Sequence, residues 1–315
     1  MGLHNDEKLF VEYVEIIAYS VGMSPAQVEK DYYVTILLKE LAARLPNLMF
    51  KGGTALSKCH KVIERFSEDI DLTLEQNHFT QGNKRKVKYE LLAICELLGF
   101  EVLNVDNIKS RRDYNNYEIK YPVRFLAQDV KPIINAETVY IQKAYPDEIM
   151  PVTSVIYDYL KRQENEKLIA VYPELQPFDI RVQTLERTFV DKVFAICDYK
   201  ISNKIIRNSR HIYDLSCLLN RITFNDSLKE LIKEVRNDRK THTQCYSAQD
   251  DVDIENILKE IIESEIYKQD YETITSAMMY KGKHLPYEEA IKSLERIIDS
   301  GVFSSQKRNM HFYNN

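Results

Sequence analysis

Tryptophan is absent from this chain, and glycine (8), proline (9) and cysteine (5) are scarce among its 315 residues. With 44% hydrophobic and 29% charged residues, so few breakers argue against general disorder and describe a compact, largely helical globular protein. Its bulky side chains are the 21 Tyr and 12 Phe. A chain of this length is expected to pack as one large or two smaller units. Long apolar runs are missing too. None approaches the ~20 residues that span a bilayer, and the first six residues lack the basic start and apolar stretch of a secretory signal. A cytoplasmic location without membrane contact is expected. Cys59, Cys95, Cys197, Cys217 and Cys245 are odd in number, widely spread and free of any C-x-x-C pair. That excludes a disulfide framework or zinc ribbon and leaves reduced, mostly buried thiols.

A basic balance is also lacking. The formal net charge of −5 argues against coating nucleic acid non-specifically, which needs an extended cationic surface. Local clusters remain at 84–88, 204–211 and 236–242, each readable by itself as a solvated helix face or loop. The last, with Arg236, Arg239 and Lys240 followed by Gln244 and Tyr246, reads as a loop suited to a single-stranded RNA end.

Along the chain, Phe10, Val14, Ile17 and Val21 recur at helical spacing. Ser24-Pro25-Ala26-Gln27 then opens a second helix with a capping box and a proline at its first position. The apolar run 48–50 predicts a buried strand stopping at a Gly-Gly turn. A helix over 54–63 follows, then a strand over 70–74 that places Asp69, Asp71 and Thr73 on one face and Ile70, Leu72 and Leu74 inward. A helix over 84–98 ends at Gly99, and strands are expected over 100–105, 117–125 and 133–141. From Ser154 onward the pattern is almost entirely helical. The expected division is a mixed α/β half over 1–150 and a helical half over 151–315.

Residues 51–72 carry the chemistry. Gly52 and Gly53 at a strand-to-helix turn let the backbone approach a ligand, and the N–H groups that follow favour phosphate oxygens. Asp69 and Asp71, one residue apart on a strand, project to one side and can hold one or two Mg²⁺ (or Mn²⁺) ions. Such ions neutralise a triphosphate, activate an attacking hydroxyl and stabilise leaving pyrophosphate. A Gly-rich turn, a helix and D-x-D in this order resemble the polymerase-β type of nucleotidyltransferase, although the spacer 54–68 is longer than its compact form.

A narrower resemblance rests on K-G-G-T-A-L-S-K with E-R-F-S-E-D-I-D-L, on R-T-F-V-D-K-V-F-A followed by N-S-R-H-I-Y-D-L, and on the end from Asp270 to the helix after Pro286. Together these resemble the AbiEii/AbiGii toxin family over roughly 28–298. The resemblance implies an α+β fold, with a mixed sheet and flanking helices as the nucleotidyltransferase core and a helical C-terminal half. It implies transfer of a nucleoside monophosphate from an NTP to an RNA acceptor, a tRNA 3′ end in some members, and a cognate antitoxin protein. Asp69 and Asp71 then become metal ligands, Gly52, Gly53, Thr54 and Ser67 line the phosphates, and Lys192 and Asp214 fall on the family's essential Lys and Asp.

Read by themselves, Lys192 sits at the edge of a helical stripe of Phe189, Val193 and Ile196, where it either reaches into a site or snorkels to solvent. Arg210 and Asp214, four apart, are either an intrahelical pair or a phosphate-binding cation and an orienting acid. His211 is a candidate acid or base. Two departures from the family stand out. Asp191 replaces the usual Glu before the Lys, and 130–137 lacks the third carboxylate where it is expected, Glu137 being the nearest substitute. The competing readings are a nucleotide-binding module without transfer and a metal-dependent phosphohydrolase or nuclease.

Overall fold

A computed structural model describes residues 2–128 and 130–304. Among the described residues two compact units emerge: those up to Thr184 together with Met278–Lys283, and Leu185–Ala277 together with those from His284 to Ser304.

In the first unit, α1 (Glu7–Val21) starts at Asp6, whose side chain accepts from the Leu9 N–H, and ends at the left-handed Gly22. The expected capping box opens α2 (Pro25–Arg44), with both reciprocal bonds between Ser24 and Gln27 formed. Such a cap contributes about 1 kcal/mol. Next come β1 (Leu48–Lys51), α3 (Gly52–Lys58), β2 (Ile70–Leu74), α4 (Gln81–Leu97), β3 (Glu101–Val102), β4 (Tyr114–Lys120), β5 (Ile134–Val139) and β6 (Asp147–Val152). Two short helices, α5 (Val155–Arg162) and α6 (Glu166–Val171), precede β7 (Phe178–Gln183). The strands form one mixed seven-stranded sheet among the described residues, in the order β3-β4-β5-β2-β1-β7-β6.

The helix expected over 54–63 ends at Lys58, strand β6 was not expected, and three further expectations change. The strand β7 lies in a stretch read as helical, pairs in parallel with β1 and antiparallel with β6, and carries the first unit to Thr184, beyond the expected division at 150. The strand expected over 117–125 starts at Tyr114 and ends at Lys120. Thr73 is fully buried although it alternates with Ile70, Leu72 and Leu74. Its cross-strand partner Met49 is buried as well, so this end of the Asp71 face is covered. The shared core joins Phe10, Tyr32 and Leu37 of α1 and α2 with Phe50, Ile70, Leu72, Ile134 and Val182 of the strands.

The second unit is helical: α7 (Leu185–Ile201), α8 (Arg210–Leu218), α9 (Asp226–Lys240), α10 (Ile254–Ser264) and a last helix at Lys292–Asp299. Helix α9 ends at Lys240, so the basic stretch at 236–242 is mostly helix rather than the expected loop. Among the described residues no helix is long and apolar enough to cross a membrane.

Candidate active site

Strand pairing gathers the candidate acids. Asp71 is the Cα partner of Lys51 on the antiparallel β1 side and of Glu137 on the parallel β5 side. Asn116 of β4 pairs with Glu137. Cross-strand partners share a face, so Asn116, Glu137, Asp71 and Lys51 form a row across the sheet. One step along the strands, Asn135 Nδ2 donates to Asp69 Oδ1 at 3.2 Å. The opposite face carries Ile70, Leu72, Ile134 and Ala136, all fully buried. Glu137, the substitute acid in the sequence, is thus the cross-strand neighbour of Asp71.

The three acids do not form a closed metal cage. Among the described residues no set of three or more His, Cys, Asp or Glu side chains is gathered closely enough to hold a metal ion. Like-charge repulsion gives a physical reason. Burial raises the Glu137 carboxyl above its ordinary range, and the charges of Asp71 and then Asp69 raise it further. The Tyr114 hydroxyl donates to Glu137 and opposes this rise, while burial, followed by the Glu137 charge, pushes the Tyr114 phenol up to about 12.

The two glycines of the turn are fixed by their close neighbours, Gly52 by Asp71 and Gly53 by Ser67 and Arg65. Gly52 has φ +78°, and a Cβ there would lie 2.8 Å from Asp71 Cγ and overlap its carboxylate oxygen. At Gly53 a Cβ would meet Ser67 Oγ at 2.7 Å and Arg65 Nη2 at 3.0 Å. Only hydrogen at both positions lets β1, β2 and the loop before β2 approach this closely. The Thr54 hydroxyl bonds to Ser67 Oγ (3.0 Å) and the Asp69 carbonyl (2.5 Å), and the residue is 1% exposed. Its side chain therefore braces the D-x-D segment from behind, whereas the expectation placed it against phosphate. The residues before Ser67 are held as well: Phe66 N–H donates to the Met278 carbonyl at 2.7 Å, and Arg65 bridges to Met279.

Sequence reasoning missed the charges of α2. Glu29 and Lys30 are fully buried, and Lys30 Nζ bonds to Glu68 Oε2 at 2.5 Å and to the Lys131 carbonyl at 3.0 Å. Asp31 receives Lys58 Nζ at 2.5 Å. A signal was present: three consecutive charges span about 200° of helix arc, too wide for the solvent side of a helix flanked by Val28, Tyr32 and Tyr33.

In the second unit, Lys192 on α7 donates to Asp214 Oδ2 on α8 at 2.6 Å, with Asp214 fully buried and Lys192 at 7% exposure. Lys192 neither snorkels nor stands alone. Arg210, partly buried, and His211, whose ring lies 5.4 Å from that of Tyr199, occupy the first turn of the same α8. Asp191 meets Arg187 (3.1 Å) and Arg239 (3.4 Å), and Arg239 also meets Asp198 at 2.9 Å.

Arg239 is therefore an internal cation, 7% exposed. Arg236 donates to the carbonyls of Ala248, Gln249 and Val252, and Lys240 pairs with Asp250. The three cations therefore sit at the end of a helix and are engaged by neighbouring groups, where the expectation was a loop. In the cluster at 84–88, Lys84 is buried against Asp113 and Lys88 bonds to the Ile108 carbonyl, leaving Arg85 and Lys86 exposed. At 204–211, Lys204, Ile206 and Arg207 are exposed, while the backbone N–H groups of Arg207 and Ser209 are held by Asp270.

No curated protein matches the chain. Among solved structures, MenT4, a nucleotidyltransferase toxin from Mycobacterium tuberculosis, is similar with a TM-score of 0.46 and 16% identity, over 92% of this chain and 88% of that one. The family model described as the nucleotidyl transferase AbiEii toxin of type IV toxin–antitoxin systems matches residues 36–298, a span that contains the Gly-Gly turn, the acid row and the Lys192–Asp214 pair. With most of its length matched, the chain belongs to the AbiEii family and is a nucleotidyltransferase toxin of a toxin–antitoxin system.

Proposed function

We propose that this toxin transfers a nucleoside monophosphate from an NTP to an RNA acceptor, such as a tRNA 3′ end, in a reaction dependent on a divalent cation. The observation that carries this reading is the in-register row of Asp71 and Glu137, with Asp69 beside it, against the close-packed Gly52 turn. The donors are all carboxylate oxygens, which suits Mg²⁺ or Mn²⁺ rather than a thiolate- or imidazole-seeking ion. Burial, and after it the charges of Asp71 and Asp69, raises the Glu137 carboxyl, and a cation beside the acids would relieve the part due to charge. Asp69 and Asp71 would hold the ion, with Glu137, the cross-strand neighbour of Asp71, as the third acid. The bound ion would neutralise the triphosphate and stabilise departing pyrophosphate.

The protein's own groups do the rest. Gly52 and Gly53 admit the phosphates to the backbone, and Ser67, partly exposed at the same turn, lines them. In the second unit Lys192, held by Asp214, falls on the family's essential Lys and is a compact cation suited to phosphate, and Arg210 is a planar one. The acceptor surface is assigned to Lys204 and Arg207, whose charge stays in solvent. As a toxin of a toxin–antitoxin system the protein has a cognate antitoxin partner, and both are expected to act in the cytoplasm.

Purified protein incubated with each labelled NTP, Mg²⁺ and total RNA tests the reading. Labelled RNA is expected. NTP bound but unchanged would instead indicate a binding module, and shortened RNA a nuclease.

A further inference from the structure

We propose that Lys30 is a positioning residue for nucleotidyl transfer, its buried ammonium tying together the two chain segments that deliver Asp69 and the Asn135–Glu137 strand to one face of the sheet. The proposal rests on the assignment of the acid row as the reaction centre. Lys30 lies in α2, far from the motifs that mark the family in the sequence, and is fully buried.

The geometry forms a closed circuit. Lys30 Nζ reaches Glu68 Oε2 at 2.5 Å, and Glu68 is the residue before Asp69. The same ammonium reaches the carbonyl of Lys131 at 3.0 Å, in the segment that leads into β5. Strand β5 then returns to Asp69 through Asn135, whose amide donates to Asp69 Oδ1 at 3.2 Å. One ammonium thus cross-links the entries of β2 and β5, which the sequence separates by more than 60 residues. Burial lowers the Lys30 pKa, and the Glu68 and Asp69 charges oppose that lowering, so the cation sits within electrostatic reach of both acids.

A buried ion pair is a poor device for stability alone. Desolvating two charges cancels most of their attraction, and apolar replacements of similar volume are often neutral or stabilising. Its distinctive property is a narrow choice of geometry, which matters where reacting atoms must be placed to within a fraction of an ångström. Its neighbours on α2 show the contrast. Glu29 accepts from the backbone N–H groups of Arg124 and Phe125, and Asp31 from Lys58 and the Val155 N–H, so neither is bonded to the residue before Asp69 or to the segment that leads into β5.

Lys30→Met alone would leave Glu68 buried without its cation, so the test uses Lys30→Met with Glu68→Gln, which removes both charges together. Transfer of label from NTP to total RNA is measured beside a thermal melt. The expected result is a Tm near that of the natural protein, a KM for NTP changed less than about threefold, and a kcat lowered roughly a hundredfold, the scale of a misplacement near 1 Å. A folded double variant with natural kcat would overturn the proposal. Should the double variant not fold, Glu68→Gln alone keeps the side chain's size and an acceptor oxygen. Here a lower kcat at unchanged KM is expected, and natural kcat would overturn the proposal. Asp71→Asn is run in parallel. If it keeps natural activity, the reaction centre itself is misassigned; if it is inactive while the Lys30/Glu68 variant runs at full rate, only the role of Lys30 falls.

Discussion

The row on β2 and β5 and the polar network of α7, α8 and α9 are built from similar residues with opposite electrostatic outcomes. On the strands, Asp69, Asp71 and Glu137 share a face with one in-register cation, Lys51, and the two aspartates raise the Glu137 carboxyl. On the helices, Asp191, Asp198 and Asp214 each accept from an Arg or Lys within 3.4 Å. The helical network completes its charge within the fold, so breaking any one of its pairs should cost stability, and its Lys192–Asp214 pair is in addition proposed to serve the transfer. The strand row leaves net negative charge, which costs stability and suits an incoming cation. Substitutions should separate the two regions cleanly.

The largest effect is expected at Asp69→Asn and Asp71→Asn. Each removes a proposed metal ligand, and a bound ion's several kcal/mol of charge stabilisation correspond to a loss of roughly a thousandfold or more in transfer. The melting temperature should stay the same or rise, since repulsion falls. Natural transfer rates in both variants would remove the row from the mechanism.

Next comes the helical pair. Asp214→Asn or Lys192→Ala leaves a buried charge without its partner, a loss of about 3–5 kcal/mol. The Lys192 change is therefore expected to lower Tm clearly, which an exposed lysine would not do. Lys192→Met combined with Asp214→Asn should recover much of that stability and still fail to transfer. A double variant that regains both would reduce the pair to packing.

Gly52→Ala tests the seam where chain geometry meets charge. The new methyl needs a strained φ of +78° and the space of the Asp71 carboxylate. A loss of about 1 kcal/mol or more from strain should accompany displacement of Asp71 and a fall in kcat. Gly53→Ala, which meets only side-chain ends, should be milder in both assays. Equal effects would show that the two glycines are not distinguished by Asp71.

How much of this was legible follows the range of the interactions. The Ser24 capping box, the Gly-Gly turn and D-x-D are local patterns, and the structure places them where short-range sequence reading puts them. Glu137 was legible only by strand parity, because its partnership with Asp71 crosses more than 60 residues. Strand β7 alternates Phe178, Ile180 and Val182 with polar residues, yet its parallel partner β1 lies some 130 residues earlier and its surroundings are helical. Charged residues misled most. Lys84 and Arg239 read as solvent-facing because charge is ordinarily solvated, and Lys30 drew no reading at all. Each is buried by a carboxylate that composition does not reveal.

The smallest predicted effect has the opposite sign in the two regions and so sharpens the contrast most. Glu137→Gln removes one charge from the repelling row and keeps a group of the same shape beside Tyr114. In EDTA at neutral pH it should raise Tm by a few degrees, whereas Asp214→Asn, also a loss of one negative charge, should lower it. The pH dependence follows from the raised Glu137 pKa. Well below 4.5 the carboxyl is neutral in folded and unfolded chains alike, so Glu and Gln should melt together. As pH rises through the window above 4.5, the folded state keeps its proton longer than the unfolded state, and the natural protein loses stability relative to the Gln variant. The gap is complete once pH passes the raised value. A Tm that falls on Glu137→Gln at neutral pH would show that the ionised carboxylate is anchored by Tyr114 strongly enough to outweigh its repulsion from Asp71.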